Sequence, residues 1–186
     1  PHFFIINKCT CPLPKFLILR FSSIGDIVLT TPVLRCLKQQ VPDACIHYLT
    51  KSSFASILRH NPYIDQLHLL ENDLETTIAN LQSCQFDYII DLHHNLRTLT
   101  IKRRLKVPSY AFPKLNIEKW LLTNFKWNRM PRVHIVDRYL QTVQQFGVQN
   151  DGRGLDYFLG ENDHVASTEI PTSHVAGYIG LVIGAA

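Results

Sequence analysis

Short apolar runs of strand length recur between stretches of helical character, and this alternation restricts the possible folds more than any other feature of the chain. KFLILRF at 15–21, ACIHYL at 44–49, QLHLL at 66–70, FDYIID at 86–91 and SYAF at 109–112 read as strands. Helical stretches at 25–37, 52–59, 74–83 and 95–105 lie between them, and two more follow at 117–125 and 134–146. Alternating β and α elements with strands apolar along their whole length predict an α/β fold. It is a Rossmann-like parallel sheet with helices on both faces. Pro32 is the awkward residue, because a proline inside a helix removes a hydrogen bond. The first helix therefore either starts afresh near Thr31-Pro32 or is kinked there.

After Gly147 the texture changes to a turn-rich stretch with Asn150, Asp151, Gly152, Gly154, Gly160, Asn162 and Asp163. The expected division is an amino-terminal extension 1–14, a Rossmann-like domain 15–149, a linker 150–176 and, at 177–186, the first strand of a further domain. With 46% hydrophobic and 18% charged residues among 186, the chain has the composition of a globular protein with a real core. A net charge of +4 admits an anionic partner but falls short of the basicity that would point to nucleic acid. Cys9, Cys11, Cys36, Cys45 and Cys84 show no paired C-x-x-C spacing. They read as reduced thiols, three of them in or beside apolar runs, and no metal site is expected. The apolar patch Phe3 to Ile6 is far below the roughly 20 residues of a spanning helix and lacks the pattern of a secretory signal.

In an open parallel sheet, ligands sit beyond the carboxyl ends of the strands. Two such ends carry chemistry. Ser22-Ser23-Ile24-Gly25-Asp26 follows the first strand, where hydroxyls and backbone amides can address a sugar or phosphate oxygen. Asp26 reads either as a first-turn helix cap or as a general base facing the cleft, and the two roles are compatible. G-x-G-x-x-G and G-x-x-x-x-G-K-[ST] are both absent, which disfavours a dinucleotide or P-loop site, so no cofactor is expected. The second end, Asp91-Leu92-His93-His94-Asn95-Leu96-Arg97, opens a basic series continued by Lys102, Arg103, Arg104 and Lys106. Such a run is usually a solvated helix face, yet at a strand end it suits an anionic ligand. His134 opens the last long helix, where a histidine usually caps.

Taken in order, these blocks resemble a known family. The stretch from Lys15 to Thr50 and the block FDYIIDLHHNLRTLTIKRRL look like the amino-terminal signatures of the ADP-heptose:lipopolysaccharide heptosyltransferases of glycosyltransferase family 9. HIVDRYLQTVQQFGV resembles the helix closing that family's first domain, and GYIGLVIGAA the opening strand of its second. The resemblance implies a two-domain GT-B architecture, with this chain supplying the acceptor-binding amino-terminal half. It also implies an inverting, metal-independent transfer of heptose from ADP-heptose to the phosphorylated inner core of lipopolysaccharide, at the cytoplasmic face of the bacterial inner membrane, with peripheral membrane association. By the same resemblance Asp26 matches the catalytic base. Arg20, Ser22, Ser23 and Gly25 line the cleft beside it, and Arg97 and His134 bind acceptor. Arg103 and Arg104 extend the acceptor set on charge and placement. The family's donor-binding residues would lie beyond Ala186, so the expectation is a truncated chain that is inactive alone. The competing expectation is a stand-alone module that binds acidic glycolipid or carbohydrate without catalysis.

Overall fold

In the computed structural model, residues 14–70, 72–113, 120, 123–127, 133–163, 167–169, 171–174 and 177 are described. The expected extension up to residue 13, most of the helix at 117–125 and the strand at 177–183 lie outside them. Five strands form one sheet: β1 (Lys15–Leu19), β2 (Cys45–Lys51), β3 (Gln66–Leu70), β4 (Tyr88–Asp91) and β5 (Ser109–Ala111). Their order is β3-β2-β1-β4-β5 and every pairing is parallel. The fold is α/β and Rossmann-like, as the alternation of elements predicts.

The α-helices bounded within the described residues are α1 (Ile24–Val28), α2 (Thr31–Gln40), α3 (Ala55–Leu58), α4 (Leu74–Gln82), α5 (Leu96–Leu105) and α6 (Ile135–Leu140). Alternation along β1 divides the core between the two faces of the sheet. Phe16 and Ile18 enter a cluster with Val33, Leu34 and Leu37 of α2, Leu58 of α3 and Tyr139 of α6. Leu17 and Leu19 point the other way, to Ile78 and Leu81 of α4 and Ile101 of α5. Full burial of a leucine or isoleucine stabilises by about 1.5–3 kcal/mol, so β1, buried on both faces, anchors the domain.

Pro32 resolves as a restart. The helical stretch at 25–37 breaks after Val28, and α2 begins at Thr31 with Pro32 in its first turn, where a missing N–H costs nothing. Thr30 and Thr31 hydroxyls donate back to the Ile27 and Val28 carbonyls at 2.6 and 2.8 Å, satisfying acceptors that the break exposes. The last long helix also breaks: α6 ends at Leu140, and a short 3-10 turn follows at Gln144–Phe146. α4 and α5 are capped by their own sequence. Asp73 accepts from the Glu75 and Thr76 amides at 3.2 and 3.0 Å. Asn95 accepts from the Thr98 amide at 2.9 Å, while Thr98 Oγ1 accepts from the Asn95 amide at 2.9 Å.

The start of the turn-rich stretch lies on the domain surface. Arg35 of α2, its side chain 0% exposed, grips Asp151 through two parallel bonds of 2.7 and 2.8 Å. It also pairs with Asp156 and donates to the Gly154 carbonyl at 2.9 Å. Gln40 exchanges two hydrogen bonds with the Gln149 backbone, and Phe158 meets Tyr63 edge to face. Residues 149–158 thus form a strap over α2 at the front of the expected linker. Cys36, Cys45 and Cys84 carry thiols rather than disulfides, as expected.

Candidate functional site

β2 lies on one side of β1 and β4 on the other, so the chain reverses direction of travel between β1 and β4, and a crevice opens above their carboxyl ends. Both strand ends singled out by sequence meet there. β1 ends at Leu19, and the chain passes through Arg20, Phe21, Ser22 and Ser23 into α1.

Arg20 organises this corner. It is buried, at 7% exposure, and it makes four polar contacts. Nε donates to the Ser22 carbonyl at 2.7 Å, and Nη1 donates to the Leu92 carbonyl beyond β4 at 2.5 Å and to the Tyr139 hydroxyl of α6 at 3.0 Å. Nη2 lies 2.5 Å from Asp26 Oδ2. One guanidinium therefore ties together the ends of β1 and β4, the helix α6 and the Asp26 carboxylate.

Asp26 sits in the first turn of α1 and accepts from Ser23 as a cap, at 2.9 Å from the hydroxyl and 3.3 Å from the amide. The helix-cap role is thus present. Every one of these bonds goes to Oδ2. Oδ1 has no hydrogen-bond partner among the described residues, and the side chain is 39% exposed. Burial pushes the carboxyl pKa up, but the Ser23 hydroxyl and the Arg20 charge outweigh it, and the result lies below the ordinary 3.8. The group is an anion at neutral pH, pinned by one oxygen and open at the other.

Beyond Ser22, two depressions of about 380 and 340 Å³ share Lys51 and Arg97. The first is lined also by Ser52, Ser53 and Asn72, and the second by Phe21, Ser22, His93 and Asn95. Neither Lys51 nor Arg97 forms an ion pair among the described residues. Their charges remain available to an anion. Asp91, fully buried, organises the floor: Oδ1 accepts from the His93 and His94 amides at 3.2 and 2.7 Å, and Oδ2 lies 2.7 Å from Lys102 Nζ. Lys51 is the residue that sequence reading missed. It is the charged end of the apolar strand β2, and the same strand-end rule that selected Arg97 would have selected it.

The other candidates distribute unevenly. Ser22 lines the cleft, Ser23 caps α1 and holds Asp26, and Gly25 is exposed in α1 with open space around its Cα. His134 caps α6, with Nδ1 accepting from the Val136 amide at 3.3 Å, five residues before the tyrosine that holds Arg20. Arg103 and Arg104 lie in the last turn of α5, roughly 10 Å along the helix from Arg97. Positive charge there suits the helix dipole, and Arg104 pairs with Glu75 of α4 at 2.9 Å. The structure brings Arg20, Ser22, Ser23, Asp26 and Arg97 to one corner, and Arg103 and Arg104 to another.

No profile of a known protein family matches the chain. Over 139 residues it is 29% identical to lipopolysaccharide heptosyltransferase 3 of Escherichia coli strain K12, covering 67% of this chain and 40% of that protein. Over 117 residues it is 26% identical to lipopolysaccharide heptosyltransferase 1 of Campylobacter coli, covering 60% of this chain and 34% of the relative. The chain is related to the heptosyltransferases of glycosyltransferase family 9. It corresponds to their amino-terminal region, and it spans well under half the length of these two relatives. The crystal structure of a family 9 glycosyltransferase from Veillonella parvula superimposes with a TM-score of 0.65 at 23% identity, over 82% of this chain and 47% of that one. At that identity the superposition speaks for the fold shared with family 9.

Proposed function

We propose that this chain is the acceptor side of a GT-B glycosyltransferase that transfers heptose from ADP-heptose to the phosphorylated inner core of lipopolysaccharide. The observation that carries the reading is Asp26: an ionised carboxylate after the β1 end of the sheet's reversal point, held through Oδ2 and with Oδ1 unpartnered among the described residues, on the loop whose Ser22 lines a depression shared with Lys51 and Arg97. Its support from relatives is that the curated proteins it matches are named as lipopolysaccharide heptosyltransferases.

In this reading Asp26 Oδ1 receives the proton of the acceptor hydroxyl. The freed oxygen attacks the anomeric carbon of the heptose from the side opposite the nucleotide, the bond from that carbon to the diphosphate oxygen breaks, and ADP leaves with the electron pair. Configuration at the anomeric carbon inverts. Arg20 fixes the carboxylate and, by lowering its proton affinity, keeps it in the receptive form. Lys51 and Arg97 hold acceptor phosphate, with Ser22 offering a hydroxyl at the cleft wall. The donor-binding groups belong to sequence outside these 186 residues, so this stretch alone does not transfer heptose. An anionic lipid acceptor places the reaction at the cytoplasmic face of the inner membrane, with the protein peripherally bound. Among the described residues no helix is long and apolar enough to cross a membrane.

The test is Asp26→Asn in the full-length protein, assayed for heptose transfer from ADP-heptose to a phosphorylated inner-core acceptor. The expected kcat falls about 10²–10⁴-fold with the acceptor KM within a few-fold of normal. A folded Asp26→Asn protein working at the parent rate would remove the base assignment.

A further inference from the structure

At the opposite edge of the sheet, three side chains far apart in sequence converge away from the cleft. His47 lies on β2, His68 on β3 and Cys84 in the turn that leads from α4 towards β4. Parallel pairing sets His47 beside Gln66 and Leu49 beside His68, so both histidines face the α4 side of the sheet. Their rings lie 5.0 Å apart and nearly parallel at 22°, with His47 Nδ1 2.8 Å from His68 Nε2. One ring nitrogen from each histidine and the Cys84 sulfur all fall within 4.8 Å of one another.

As a purely packed pair the two histidines are badly provided for. His47 is 1% exposed, and its Nε2 is buried without a hydrogen-bond partner among the described residues. If His47 Nδ1 donates to His68, Nε2 is a stranded lone pair; if His68 donates, Nε2 carries a stranded N–H. Either state costs on the order of 1–3 kcal/mol. A buried polar group left so is uncommon, and it marks a ring that apolar packing alone does not account for.

We propose that His47, His68 and Cys84 bind one zinc-class transition-metal ion, with an open fourth position, as a structural lock between β2, β3 and the turn after α4. Two imidazoles and a thiolate are the donors a borderline-soft ion selects over calcium or magnesium. Two nitrogens on one tetrahedral zinc lie roughly 3.3 Å apart and nitrogen and sulfur roughly 3.5 Å apart, given bonds near 2.0 and 2.3 Å. Reaching that geometry from the present one takes a small opening of the imidazole pair and an inward turn of Cys84. Cys84 sits in a turn, and β3 is an edge strand, so both have room to adjust. Phe86 meets the two rings edge-on at 5.1 and 6.3 Å, fixing their orientation and drying one side of the site. His47 is four strand residues from Lys51, about 13 Å, so the ion takes no part in chemistry at the cleft. The proposal stands whether or not the chain acts on heptose.

The test is titration of the chelator-stripped full-length protein with Co²⁺ as the optical probe for a zinc site. One equivalent is expected to produce visible bands of tetrahedral intensity and a near-ultraviolet thiolate-to-cobalt band, both displaced by Zn²⁺. Cys84→Ser keeps Cys9 and Cys11 and should abolish the near-ultraviolet band. His68→Gln, on the edge strand and tolerant of change, should retain that band but weaken binding about tenfold or more. Circular dichroism establishes that each variant is folded, and His68→Gln gives the reading if Cys84→Ser is not. An undiminished thiolate band in folded Cys84→Ser, unchanged affinity in His68→Gln, or no saturable uptake at micromolar Co²⁺ would each overturn the site.

Discussion

Arg20 and Arg35 are both buried arginines, each holding segments distant in sequence, yet they end in opposite electrostatic states. Arg35 faces two carboxylates, Asp151 and Asp156, plus the Gly154 carbonyl, so its charge is more than matched. Arg20 faces one carboxylate, two carbonyls and a tyrosine hydroxyl, and the carboxylate it holds is 39% exposed. The first cluster is closed: every strong group has found its partner inside the fold. The second ends in a carboxylate oxygen with no partner among the described residues, on the loop whose Ser22 shares a depression with Lys51 and Arg97. A protein that needs only to stay folded has reason to close such a cluster, whereas one that must meet a ligand leaves groups unspent at the surface.

The largest stability effect should come from the closed cluster. Arg35→Met strands two carboxylates, and breaking a buried pair by removing one partner costs about 3–5 kcal/mol. The lower end applies, because the Asp151 and Asp156 side chains are 17% exposed and can turn towards water. Urea unfolding should show the loss, and hydrogen exchange should show residues 149–158 opening first. Adding Asp151→Asn and Asp156→Asn to Arg35→Met should recover part of the stability, since no charge is then left unpaired. A strap that remains protected in Arg35→Met would break the comparison, because Arg35 would then not be what holds it.

Arg20→Met probes the open cluster, where the expected loss is in rate more than in folding. With the guanidinium gone, Asp26 keeps Ser23 but loses its fixed direction, and kcat/KM in the full-length enzyme should fall by about 10–100-fold. The pH profile is the sharper reading. In the parent the Asp26 pKa lies below the ordinary 3.8, so the base form survives as pH falls through the usual carboxylate range. Its activity, and its contribution to stability, are lost only as pH drops through the lowered value. Without Arg20 the acid limb should move to higher pH, because burial still raises the pKa while one of the opposing influences is gone. An acid limb that stays in place would show that Arg20 does not tune this carboxylate.

This contrast also marks what could be read in advance. The order of strands and helices was legible because apolar strand runs and helical stretches differ in period; strand-end logic then selected Ser22, Asp26 and Arg97, and the family resemblance added Arg20. The break at Pro32 was legible as a pair of alternatives, and the Thr30 and Thr31 hydroxyls show why the restart wins. Arg35 was not legible: its partners lie more than a hundred residues away in a stretch that reads as linker, and a lone arginine on a helix normally faces solvent. His47, His68 and Cys84 were hidden for the same reason. Metal ligands are recognised in sequence by close spacing, and here the sheet register, not the spacing, brings them together.

Lys51 and Arg97 should each show a smaller and more specific effect. Replacing either by glutamine removes one charge-assisted contact to the acceptor, and about a tenfold rise in acceptor KM is expected, with kcat little changed. Raising the salt concentration should weaken the parent more than the Lys51→Gln/Arg97→Gln double variant, since the two charges act through screened attraction. Equal salt sensitivity in parent and double variant would show that the cleft does not use these cations on the acceptor.

Arg104→Ala should produce the least, and this is what makes it informative about the basic series on α5. Arg104 and Glu75 are 50% and 60% exposed, and such a surface pair contributes about 0–1 kcal/mol, further screened by salt. With its guanidinium engaged by α4 and its backbone a helix length from Arg97, it has no path to a ligand held over Asp26. Acceptor KM should therefore stay within a factor of about two, and the Arg103→Ala/Arg104→Ala double variant should behave alike. A tenfold rise in acceptor KM would instead extend the open, ligand-facing region along the whole of α5 and place both arginines with Lys51 and Arg97. The boundary between closed and open charge would then run between Arg35 and the entire α5 face, rather than within α5 after its first turn.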